Sequence, residues 1–90
     1  MRSYTGAEMK HAGATALATI EPLSMELRKL DGLLEKRPGI FYRKSVAFLH
    51  FHEDPAGMFA DVRGDGEWQR LPVNTAAERR RLLGIAANKR

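Results

Sequence analysis

The sequence predicts an α+β fold: an antiparallel sheet of three strands, or four if Ile40–Arg43 stands alone, with N- and C-terminal helices packed on one face. Three observations predict it. Leu23, Leu27, Leu30 and Leu34 recur at spacings of four, three and four, one stripe of a helix. Between Ile40 and Val73, β-branched and aromatic residues gather in short runs separated by Asp54-Pro55-Ala56-Gly57 and Asp65-Gly66. Thr75-Ala76-Ala77-Glu78 has the form of a capping box that opens a last helix. The order is therefore α-β-β-β-α.

Residues 1–18 mix small residues without periodicity and read as a flexible N-terminal arm, leaving 19–90 as a single α+β domain. Pro22 suits the first turn of the first helix. The leucine stripe carries that helix to Pro38-Gly39, where it stops. Ile40–Tyr42 and Val46–His52 are rich in strand formers, with Arg43-Lys44-Ser45 between them as a kink, bulge or turn. Asp54–Gly57 predicts a hairpin turn into a strand over Met58–Arg63. Asp65-Gly66 predicts a tight type I′ turn into Glu67–Val73, with Pro72 marking an edge or a strand end. The last helix runs to about Ala87 with Leu82, Leu83 and Ala86 on one face. Arg79 falls in that apolar arc and must snorkel or meet a carboxylate.

Composition removes several function classes. The chain has 90 residues, 43% of them hydrophobic and 29% charged, a globular balance with room for one core. It has no cysteine, which excludes disulfides, thiolate metal sites and cysteine nucleophiles, and points to a reducing, cytoplasmic setting. No apolar run is long enough for a membrane helix. The formal net charge is +4, and residues 74–90, with five basic groups and one acidic, account for all of it. Such a tail can attract nucleic acid, or simply complement the helix dipole. No serine lies in a nucleophile-elbow context, and Gly64-Asp65-Gly66 is too short to cradle phosphate.

The two turns set a register. Counting outward from Asp54–Gly57 puts His52 opposite Phe59, His50 opposite Asp61 and Phe48 opposite Arg63. Counting from Asp65-Gly66 puts Arg63 opposite Trp68 and Asp61 opposite Arg70. One face then carries Ala47, Leu49, Phe51, Ala60, Val62 and Leu71, a core face with Gln69 as its misfit. The other carries Phe48, His50, His52, Phe59, Asp61, Arg63, Trp68 and Arg70 and stays open.

Three readings fit the open face. Phe48, Phe59 and Trp68 can stack bases while Arg63 and Arg70 meet phosphates, giving a nucleic-acid surface aided by the basic C-terminal helix. His50 and His52, two apart on a strand, point the same way. With Asp61 they form a two-histidine, one-carboxylate set for a metal ion or an acid–base site. The row His50–Asp61–Arg70 is also accounted for by cross-strand pairing, and the exposed aromatics by a protein partner or a homodimer. The leading expectation is a small binding or interaction domain acting through this face, not an enzyme, and with no cofactor. His11 is expected to be solvent-exposed.

The stretch Gly39–Asp61, especially Phe48-Leu49-His50-Phe51-His52-Glu53-Asp54-Pro55-Ala56-Gly57, resembles small bacterial proteins of unknown function. The layout is also similar to small helix–sheet–helix domains of the frataxin-like and MmcQ/YjbR types. The first resemblance brings no activity with it, and the second is one of layout only, this chain being shorter with fewer strands; neither carries a functional residue with it.

Overall fold

The computed structural model describes residues 10–64 and 66–88. The elements run β1 (Lys10–His11), α1 (Ala14–Thr19), α2 (Glu21–Arg28), β2 (Leu33–Arg37), β3 (Ile40–Arg43), β4 (Val46–Asp54), β5 (Gly57–Gly64), β6 (Glu67–Pro72) and α3 (Ala76–Asn88). Strands β2 to β6 form an antiparallel meander in chain order, and β1 pairs with β4 beyond the end of β3. The α+β class and the helices at both ends are as expected, but the sheet is larger than the three or four strands expected.

The extra strand comes from the leucine stripe. Helix α2 ends at Arg28, with Leu23 and Leu27 buried in the core. Gly32 then takes a left-handed conformation (φ +82°), which reverses the chain after Asp31. Leu33 and Leu34 continue as β2 instead of a third helical turn, so Leu33 is buried while Leu34 is 59% exposed on the other side. Pro38-Gly39 is thus a hairpin turn between β2 and β3 rather than a helix stop. The Glu35 carboxylate accepts a hydrogen bond from Gly39 N at 2.9 Å and another from Arg28 Nε at 2.6 Å, tying this hairpin to α2.

The hairpin registers agree with those expected from the turns. His52 faces Phe59, His50 faces Asp61, Asp61 faces Arg70 and Arg63 faces Trp68. Asp54 Oδ1 accepts from Ala56 N at 2.8 Å, closing the turn. The Asp65-Gly66 turn lies partly outside the described residues, but Gly64 pairs with Glu67 across it. Gln69 is exposed on the edge strand β6, which accounts for a polar side chain at that position. The capping box is formed: Glu78 N donates to Thr75 Oγ1 at 3.1 Å, and Thr75 N donates to Glu78 Oε1 at 3.0 Å. Arg79 reaches out of the apolar arc and donates from Nε to the Val73 carbonyl at 2.8 Å.

Phe48 is placed differently from the expectation. Phe41 pairs with Leu49 and Tyr42 with Ala47, so β4 carries one extra residue there. Such a bulge resets the alternation of side chains. Phe48 joins the core, 5% exposed, with the Arg43 guanidinium 4.7 Å from its ring centre. Arg43 in turn donates to the Ala86 carbonyl of α3 at 2.8 Å. The core therefore lies between the helices and one sheet face, with Ile20, Phe41, Leu49, Phe51, Val62, Val73 and Leu82 at its centre.

Gly57 stands at a close approach. It has φ +138°, and a Cβ there would lie 2.7 Å from Asn74 Oδ1, the atom that accepts from Met58 N. Gly84, on the outer side of α3, has open space around it. Gly84→Ala is expected to stabilise the domain by about 0.5–1 kcal/mol, the helix-interior difference between the two residues. Gly57→Ala is expected to destabilise it by more than that, since both backbone and packing oppose the methyl group. Urea unfolding of the two variants measures both signs.

Candidate functional site

The open face is built around β4 and β5. Because side chains alternate on a strand, His50 and His52 of β4 share the face, and so does Asp61, opposite His50 on β5. Strand β1 adds a residue not foreseen as part of the site: His11 pairs with His52. The segment expected as an arm thus supplies, over its described part, β1 and α1. Ala12 N donates to the Phe51 carbonyl at 3.2 Å and Gly13 N to the Glu53 carboxylate at 2.8 Å, which holds β1 against β4.

The three imidazoles converge. Ring centres lie 4.9 Å apart for His50–His52, 4.9 Å for His11–His52 and 5.4 Å for His11–His50. One nitrogen from each lies within 4.8 Å of the other two. His52 is buried, His50 half-buried and His11 exposed, so the cluster opens to solvent on the β1 side. His11 is exposed as expected, and it is also a member of the site.

Asp61 sits beneath the cluster, 7% exposed. Arg70 grips it with two hydrogen bonds, Nε to Oδ1 at 2.7 Å and Nη2 to Oδ2 at 2.8 Å. His52 Nε2 lies 3.0 Å from Oδ2. Burial pushes the Asp61 carboxyl up, but the Arg70 hydrogen bonds, with the charges of His52, Arg70 and His50, hold it below its ordinary value. Asp61 is therefore ionised at neutral pH and only accepts hydrogen bonds.

That fixes the protons. His52 Nε2 must carry hydrogen to face the carboxylate, and His50 Nδ1, 2.8 Å from the same nitrogen, faces it with a lone pair. Neutral His50 then carries its own proton on Nε2. Both contacts use one nitrogen of His52, so no proton path runs through that ring from Asp61 to His50. Burial lowers the His50 pKa, the positive charge of His52 lowers it further, and His11 and Arg70 act the same way against the opposing pull of Asp61.

The other residues expected on this face have separate roles. Trp68 is 40% exposed and its ring centre lies 4.5 Å from that of His50. The Arg63 guanidinium lies 4.4 Å from the Trp68 ring centre, and its Nε donates to the Ala47 carbonyl at 3.0 Å. Phe59 is half-buried, and Phe48 is in the core rather than on this face. Among the expected metal set His50, His52 and Asp61, the two histidines group with His11, while Asp61 serves Arg70 and His52. No periodicity marks His11, because β1 is only two residues long. Among the described residues, no helix is long and apolar enough to cross a membrane. No known protein family, curated protein or solved structure matches the chain.

The cluster makes stability pH-dependent. His50 has a folded pKa below its ordinary 6.5, so the unfolded chain binds the extra proton first, and stability falls as pH drops below about 6.5. Asp61, lowered from 3.8, adds a second loss as pH falls through its folded value. Chemical denaturation from pH 8 to pH 3 is expected to show both losses in wild type and only the lower one in His50→Gln.

Proposed function

We propose that the protein is a small metal-binding domain whose open sheet face takes one divalent transition-metal ion between His11, His50 and His52. The reading is a specific form of binding through the open face. The observation that carries it is the convergence of three imidazole nitrogens within 4.8 Å of one another. Zinc–nitrogen bonds of about 2.0–2.1 Å at tetrahedral angles separate two ligand nitrogens by about 3.4 Å. That spacing lies between the 2.8 Å contact of His50 with His52 and the 4.8 Å limit of the group, so side-chain adjustments alone can meet it.

Two further features support the reading. A metal ligand must be neutral imidazole, and burial, with the nearby charge of Arg70, favours that form of His50. Asp61, itself gripped by Arg70, touches His52 and fixes the position of its ring beside the other two imidazoles. Imidazole sets favour zinc, copper, nickel or iron over magnesium and calcium.

Isothermal titration of untagged, metal-stripped protein with zinc tests the proposal. One equivalent is expected to bind, with affinity weakening as pH falls through the lowered titration range of His50. His50→Ala and His52→Ala are expected to abolish stoichiometric binding. Asp61→Asn, which loosens the contact that positions the His52 ring, is expected to weaken it by about 10–100-fold. Trp68→Ala leaves the ligands intact and is expected to bind like wild type. Equal binding by all four variants contradicts the assignment.

A further inference from the structure

The donor count and the charge of the site point beyond metal binding. We infer that the bound ion keeps an open coordination position that takes a small anion, a carboxylate or an inorganic anion, in exchange for water. This rests on the three-histidine site proposed above.

The count comes first. Tetrahedral zinc and cobalt take four ligands, and the group supplies three. Among the described residues, no fourth histidine, aspartate or glutamate offers an atom to it, and the chain has no cysteine. Asp61 lies nearest in role, but both its oxygens are engaged by Arg70 and one also by His52. Recruiting it would strip the two Arg70 hydrogen bonds from a buried carboxylate. As far as the described residues go, the fourth place falls to solvent or to a ligand from solution. The opening is on the side of His11, the exposed member of the three.

Charge sets the class of ligand. Three neutral imidazoles leave both charges of the ion unbalanced. Around the site, the cations Arg63 and Arg70 stand against the carboxylates Asp61 and Asp54, the latter close enough to favour the charged form of Arg70. These four cancel, so the ion's own charge is what an incoming ligand meets. An anion is favoured over a neutral donor, and a bound water is acidified, as at other three-histidine zinc centres.

Cobalt(II) is the probe, because its visible bands report coordination number. The cobalt-loaded, untagged protein is titrated with azide and, separately, with acetate and phosphate. The expected result is a saturable shift of the bands at one anion per ion, competitive between anions, and a pH-dependent shift without anion as bound water ionises. Response to acetate but not phosphate marks a carboxylate-sized opening, and response to both marks a wider one; either supports the inference. Cobalt that binds stoichiometrically with bands indifferent to anions and to pH overturns it, showing a closed ligand set while leaving the metal site standing. Failure of cobalt and zinc to bind overturns both readings together.

Discussion

The ion pair between the buried Asp61 carboxylate and the half-exposed Arg70 is the constraint on which the open face depends. A carboxylate that is 7% exposed costs free energy unless its charge is met by well-placed donors. Arg70 meets it from the neighbouring strand with two hydrogen bonds, and His52 takes a third. Once the carboxylate is held ionised, it dictates which nitrogen of His52 is protonated, and through that contact which nitrogen of His50 carries a lone pair. The cluster is thus ordered from below, and its upper side is left to solvent and to His11.

The fold delivers this arrangement through the position of β4. It is flanked by β5 on one edge and shares its other edge between β3 and β1. His50 lies opposite Ile40 on β3, and His52 opposite His11 on β1, so the handover between the two strands falls between the two histidines. The core face of the same strand, with Leu49 and Phe51 fully buried under the helices, anchors the register. A slip of one residue would exchange the histidines with those core side chains, which makes their placement as secure as the core itself.

Much of this was legible in the sequence where local chemistry is strong. Asp54–Gly57, Asp65-Gly66 and the Thr75–Glu78 capping box are strong local signals, so the β4–β5 and β5–β6 registers and the start of α3 follow from residue types alone. The leucine stripe misled because its spacing fits a helix, whereas the backbone turns at Gly32 and pairs Leu33–Arg37 with β3. Tertiary pairing there overrode a local pattern. Phe48 was misplaced because a bulge is set by how two strands fit, and nothing in the residues 47–49 announces it. His11 was beyond reach for the same reason: a two-residue strand has no period, and its partner lies 41 positions away along the chain, at His52.

The central claim is that three imidazoles, two on β4 and one on β1, act as a single ligand set. Nitrogen-detected NMR of the histidine rings tests it most directly, on ¹⁵N-labelled, untagged protein with and without one equivalent of zinc. Without metal, His50 is predicted to show its proton on Nε2 and a lone pair on Nδ1. With zinc, one nitrogen of each of His11, His50 and His52 is predicted to move to the shift of a metal-bound imidazole, with the transition complete at one equivalent. A metal-bound shift at His50 and His52 alone would remove His11 from the site, and unchanged ring nitrogens in all three would contradict the account.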